Sequence, residues 1–130
     1  MCYTAPVWNL EAPQSFRVSP EEAVVIQRKL AALVEIRKPE KGLRFIAGVD
    51  AAFPSDGRCA LGGVVVWDPD SACVVDSHTA EAELPMPYIP GLLSFRELPA
   101  VLAALRKLSR KPDAVMCDGQ GIAHPHRMDL

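Results

Sequence analysis

Apolar residues recur at helical spacing from Ala23 through Ile26 and Leu30 to Leu33, while Arg28, Lys29 and Glu35 fall between them. That pattern predicts a helix with one packing face and one wet face. Ser19-Pro20-Glu21-Glu22 supplies its start: an N-cap serine, a proline at the first helical position and a glutamate three residues after the cap. Pro39 supplies the stop, so the helix is expected over 20–37.

The period then changes to two. Leu43–Phe53 (LRFIAGVDAAF) reads as a strand with Leu43, Phe45, Ala47 and Val49 on one face and Arg44, Ile46, Gly48 and Asp50 on the other. Two more strands, Cys59–Trp67 and Ala72–Glu83, follow the turns Pro54-Ser55-Asp56-Gly57 and Asp68-Pro69-Asp70-Ser71. Three strands joined by short turns make an antiparallel meander. A proline-studded loop, Leu84–Pro90, leads to a second amphipathic helix carrying Leu98, Val101, Leu102, Leu105 and Leu108. Pro112-Asp113 stops it, and the uniformly apolar Ala114–Cys117 runs into Asp118. A short all-apolar strand after a helix has the pattern of a buried parallel strand, expected to lie beside the first. The fold class is therefore α/β: helix, three antiparallel strands, helix, and a parallel strand in one mixed sheet with an open edge.

Composition narrows the class. A length of 130 residues suits one domain, 1–130. With 49% hydrophobic and 23% charged residues the chain is globular rather than disordered. The net charge of -2 and pI near 5.9 carry no basic footprint, so a polyanion would have to be held by local groups or metal ions. Cys2, Cys59, Cys73 and Cys117 are widely spaced with no C-x-x-C pair, which favours reduced thiols over disulfides or a zinc site. No run approaches a membrane span, and MCYTAPVWNLEAP has no charged n-region or apolar h-region, so the expected compartment is the cytoplasm.

Two acids stand out by position. Asp50 is embedded in an apolar strand and Asp118 ends another. A carboxylate in such surroundings costs several kcal/mol unless paired or bound to metal. An Asx-turn or helix N-cap is the plain alternative at Asp118, and an arginine partner at Asp50. Glu97 is a third candidate, although Ser94-Phe95-Arg96-Glu97 fits a capping box and Leu93 with Leu98 fits a hydrophobic staple. Pro99 conflicts with that box, because it would lie five residues into the helix. If the strand of Asp118 lies parallel beside that of Asp50, the two acids meet at one end of the sheet, with Glu97 arriving from the helix above. Clustered carboxylates call for cations, and hard oxygen ligands select Mg²⁺ or Mn²⁺. Paired ions of that kind hydrolyse phosphodiesters in line. His124 is expected as a hydrogen-bonding or phosphate-facing group near the acids, and His78 as structural.

The segments Pro87–Glu97 (PYIPGLLSFRE) and Asp118–Pro125 (DGQGIAHP), with Ala47-Gly48-Val49-Asp50 ahead of them, resemble the three signature motifs of the endonuclease V family. The resemblance covers the chain from the first helix onward and implies a ribonuclease H-like fold. It implies that Asp50, Glu97 and Asp118 are metal-binding carboxylates and that His124 is an active-site histidine. Pro87, Tyr88, Ile89 and Pro90 correspond to a strand-separating wedge, a loop stiffened by two prolines that offers an aromatic ring for stacking. Gly91, Leu93, Gly119 and Gly121 correspond to positions around a pocket for a flipped hypoxanthine. The implied reaction is Mg²⁺-dependent hydrolysis of DNA or RNA at the second phosphodiester 3′ to a deaminated base such as inosine, for nucleic-acid repair.

Members of that family run well beyond the DGQGIAHP motif, with further helices, another strand, a basic residue near the scissile phosphate and a further acidic or histidine residue near the metals. The chain therefore reads as C-terminally truncated, and His126 and Asp129 stand where the family commonly has arginine and glycine. A sheet without those covering elements exposes apolar surface and is expected to self-associate. Beside the enzyme stand two other readings: a catalytically impaired truncated homologue that only binds nucleic acid or a partner, and a structural domain whose acids are caps.

Overall fold

The computed structural model describes Leu10, residues 15–39 and residues 42–127; Cys2, Asp129 and most of the N-terminal lead-in lie outside the described residues. Helix α1 spans Pro20–Ala31, strands β1, β2 and β3 span Ile46–Ala52, Cys59–Asp68 and Cys73–Glu83, helix α2 spans Leu93–Leu105, and β4 spans Ala114–Cys117. A short 3₁₀ turn covers Gly121–Ala123. The order of elements is the one the periodicity predicts.

α1 opens with the expected capping box, Glu22 N–H donating to Ser19 Oγ at 3.2 Å and Ser19 N–H to Glu22 Oε2 at 2.9 Å. It stops at Ala31 rather than at 37. Ala23 and Ile26 are buried, but Leu33 is 74% exposed, so the apolar stripe runs out of packing surface before the sequence signal runs out. A helix held by tertiary packing ends where that packing ends.

The sheet has the order β3-β2-β1-β4, with β1 antiparallel to β2 and parallel to β4. β1 starts at Ile46, three residues later than expected. The reason is Asp113, whose Oδ2 accepts the Arg44 N–H at 3.0 Å and the Phe45 N–H at 2.8 Å, taking donors that a strand would have spent on its ladder. These bonds hold the Asp113 carboxyl below its ordinary pKa, the Phe45 N–H contributing most and the Arg44 N–H next.

One face of the sheet is covered. Ala47 and Val49 of β1, Val64 and Val66 of β2, and Ala80 of β3 pack against Val101, Ala104 and Leu105 of α2. The approach is close enough to require a glycine: a Cβ on Gly62 would lie 2.6 Å from the Val101 nitrogen and closer still to the Ala100 carbonyl group. A second cluster, Ala23, Ile26, Met86, Leu92 and Phe95, joins α1 to the loop before α2 and to its first turn.

Two further expectations change. β4 is not a buried strand: it is the last in the sheet, and Met116 is 67% exposed. Ser94 does not cap α2, which begins at Leu93 after an N-cap Leu92 that makes no side-chain cap; Ser94 is buried within the first turn instead. The staple of Leu93 with Leu98 goes with that box, since both residues lie inside the helix. Pro99 sits within the helix and removes one backbone donor.

Candidate active site

The opposite face of the sheet carries the candidate acids Asp50 and Asp118. Alternation along β1 puts Ala47, Val49 and Ala51 toward α2, and Gly48 and Asp50 toward the uncovered side. The parallel ladder pairs Gly48 with Met116 and Val49 with Cys117, so the next positions along the two strands are Asp50 and Asp118. Both acids line one broad cavity of about 760 Å³, together with Gly63, Val65, Ser77 and Thr79. Asp50 accepts the N–H of Ala51 at 2.7 Å, and among the described residues neither acid forms an ion pair. The arginine partner considered for Asp50 is thus not formed. Gln120, not Asp118, is the N-cap of the following 3₁₀ turn.

Glu97 lies elsewhere. It is half-buried on the α2 stripe that includes Ala100, Val101 and Ala104, the stripe that rests on the covered face, and it does not line the cavity of Asp50 and Asp118. The strand pleat sets this separation, since Asp50 points away from the helix that carries Glu97. Among the described residues no group of three histidine, cysteine, aspartate or glutamate side chains gathers closely enough to hold a metal ion. The donor chemistry of two carboxylates in one cavity nevertheless fits Mg²⁺, which is commonly held by one or two carboxylates and completes its octahedron with waters and substrate phosphate.

A second cavity, of about 390 Å³, is lined by Tyr88, Gly91, Leu93, Gln120, His124 and Pro125. It gathers residues from both long motifs, PYIPGLLSFRE and DGQGIAHP. Gly91 adopts φ +84, a left-handed conformation that suits glycine, and its α-hydrogen side faces His124. His124 is buried and lines this second cavity rather than the one between the acids. Gly119 and Gly121 flank Gln120 outside the lining, Gly121 at φ +54.

The loop before α2 is anchored so that its ring is free. Met86 is buried and Ile89 half-buried in the second cluster, whereas Tyr88 between them is 58% exposed. The Arg96 guanidinium stacks over Phe53 at 4.7 Å and over Tyr88 at 5.9 Å from the ring centroids, and its buried Nε has no hydrogen-bond partner among the described residues. Arg96 thus braces the exposed tyrosine from behind. His78 pairs with Asp76 at 2.9 Å.

Residues 28–130 match the family model described as Endonuclease V. The chain belongs to the endonuclease V family. It is 46% identical over 112 residues to the Endonuclease V of Azotobacter vinelandii, an alignment that covers 86% of this chain and 51% of that protein. It is 42% identical over 119 residues to the Endonuclease V of Trichormus variabilis, covering 91% and 54%. The crystal structure of Endonuclease V from Streptomyces avermitilis superposes with a TM-score of 0.82 at 38% identity, covering 91% of this chain and 53% of that one. Ciona intestinalis Endonuclease V, solved with a 23mer DNA containing an inosine followed by a ribo-adenosine, superposes with a TM-score of 0.72 at 22% identity, over 85% and 51% of the two chains. The chain thus has the fold of known endonuclease V structures and spans about half the length of the curated relatives it matches.

Two further residues contribute to the site, Arg96 and Gln27. Arg96 lies inside PYIPGLLSFRE, where spacing alone implies no contact for it. Gln27 interrupts the apolar stripe of α1, and that misplaced polar residue was the available signal; it is buried and bonded to the Gly91 carbonyl.

Proposed function

We propose that this endonuclease V chain acts in metal-dependent nicking of DNA or RNA at the second phosphodiester 3′ to a deaminated base such as inosine, in nucleic-acid repair. The observation that carries this reading is that Asp50 and Asp118, each one position beyond the last paired residues Val49 and Cys117 of adjacent parallel strands, line the same cavity. Those two carboxylates would hold Mg²⁺, or Mn²⁺, and Glu97 is the third acid that the motif resemblance groups with them. The ion, when bound, lowers the pKa of its water and neutralises charge on the phosphate. The chain's own part is to orient and to exclude. β1 and β4 fix the separation of the carboxylates, and the glycines at 48 and 63 leave the sheet surface low beside them.

The second cavity is proposed as the base pocket, with Gly91, Leu93 and His124 in its wall and Gly119 and Gly121 shaping the adjoining turn. The Ciona relative's DNA, which contains an inosine, supports a substrate of this kind. Pro87, Tyr88, Ile89 and Pro90 are proposed as the wedge that occupies the gap left in the stack by the flipped base. Apolar side chains on the uncovered face, Val65, Trp67 and Met116, favour self-association or cover by further polypeptide. The widely spaced, free thiols of Cys59, Cys73 and Cys117 support a cytoplasmic setting.

The test is nicking of an end-labelled duplex containing one deoxyinosine, with Mg²⁺ and with chelator. Cleavage at the second 3′ phosphodiester, dependent on Mg²⁺ and reduced at least a hundred-fold by Asp118→Ala, is the expected result. Cleavage that persists in Asp118→Ala or with chelator would overturn the assignment.

A further inference from the structure

A single hydrogen-bonded chain, beginning on α1, ties together two walls of the second cavity. Gln27 is 1% exposed. Its Nε2–H donates to the Gly91 carbonyl at 2.8 Å, and its Oε1 lies 2.7 Å from His126 Nδ1. The backbone N–H of His126 donates to His124 Nδ1 at 3.0 Å. Each link constrains the next. A carbonyl oxygen only accepts, so Gln27 must turn its amide nitrogen to Gly91 and its oxygen to His126. Nδ1 of His126 therefore carries a hydrogen. A backbone N–H only donates, so His124 Nδ1 is bare, and the neutral His124 ring carries its proton on Nε2. That Nε2 edge lies against Gly91, where a Cβ would sit 3.7 Å from it.

We infer that Gln27 is a positioning residue for base selection. It locks the Gly91 loop to the His124–His126 loop and so holds His124 as a hydrogen-bond donor toward the cavity, which favours a purine with a 6-oxo group over one with a 6-amino group. The inference rests on the base-pocket reading above and adds the residue that enforces it. A 6-oxo group accepts from Nε2–H, whereas a 6-amino group meets it donor against donor. A buried donor left unpaired weakens binding by roughly five- to a hundred-fold. A buried glutamine that merely filled the core would influence stability without altering this preference.

The experiment compares the unsubstituted chain with Gln27→Leu and His126→Ala. The second variant cuts the Gln27 link from outside the apolar core, which keeps the test intact should Gln27→Leu fail to fold. Binding to two single-stranded oligonucleotides, identical except for one deoxyinosine or one deoxyadenosine, is read by fluorescence anisotropy with chelator present so that no strand is cut. In parallel, ¹⁵N-histidine NMR reads the tautomers. His124 is expected as the Nε2–H tautomer and His126 as Nδ1–H. The preference for deoxyinosine is expected to fall about ten-fold in each variant. Equal binding of both oligonucleotides by the unsubstituted protein would sink the base-pocket reading. Undiminished preference in the folded variants, or His124 protonated on Nδ1 in the neutral state, would overturn the role of Gln27 while leaving that reading standing.

Discussion

Replacing Gly62 with alanine tests the contact that places α2 on the sheet. A Cβ there would stand 2.6 Å from the Val101 nitrogen and nearer still to the Ala100 carbonyl group, where ordinary contact begins near ~3.4 Å. Both obstacles are helix backbone, so no rotamer change relieves the clash. α2 must retreat by about 1 Å, and a gap of that size forfeits a quarter to a half of the dispersion attraction across it. The loss falls on Val101, Ala104 and Leu105, packed against Val49, Val64, Val66 and Ala80. Overpacking by one methylene costs about 1–3 kcal/mol. The rigid obstacle and the spread of the gap put Gly62→Ala at the upper end, about 3 kcal/mol. For a domain of this size that lowers Tm by roughly 10–15 °C. The neighbouring Gly63 is an internal control: it faces the uncovered side, nothing lies within 4 Å of its Cβ position, and Gly63→Ala is expected within about 1 kcal/mol of the parent in either direction. Thermal unfolding followed by circular dichroism separates the two. If Gly62→Ala melts within ~2 °C of Gly63→Ala, α2 does not rest on β2 through this glycine.

Tyr88→Ala removes the exposed ring braced by Arg96 and is expected to weaken binding of inosine-containing DNA by ~1–3 kcal/mol at unchanged melting temperature, measured by anisotropy; unchanged affinity would remove Tyr88 from the interface. Asp113→Asn tests a charge-dependent tie. Because the folded carboxyl is held below its ordinary pKa, its contribution is full above the unfolded value near ~4 and fades as pH falls through the lower folded value. The urea-unfolding gap between parent and variant is therefore expected to be widest at pH 7 and to close in acid, and an equal gap at pH 7 and about pH 2.5 would contradict it.

Local signals carried the elements well. The capping box at Ser19, the two-residue alternation of β1 and the turn residues between strands act over a few neighbouring positions, so they were legible without knowing what packs where. The misjudged boundaries share one cause. Whether Leu33 continues a helix, or Ala114–Cys117 is buried, depends on what lies alongside: among the described residues Leu33 is left largely exposed, and β4 has β1 on one edge and no strand on the other. Ser94 illustrates the same limit. Its spacing to Glu97 fits a capping box, but burial of the first turn of α2 against Ala23 and Ile26 draws the helix start back to Leu93.

At the candidate site the division is sharper. Asp50 and Asp118 stood out in the chain itself, because carboxylates in apolar strands are unusual wherever they occur, whereas Tyr88 and Gly91 were marked by the resemblance of their motifs to the endonuclease V family. Their grouping was not evident. The parallel register brings Asp50 beside Asp118, the pleat turns Asp50 away from the helix that carries Glu97, and His124 joins Tyr88 and Gly91 rather than the acids. Gln27 acquires meaning only because α1 folds against the loop of Gly91, 64 residues away. Sequence determined which groups are available, since that is written in side-chain chemistry and short-range spacing; tertiary structure decided which of them share a cavity, since pairing register and pleat act between segments far apart in the chain.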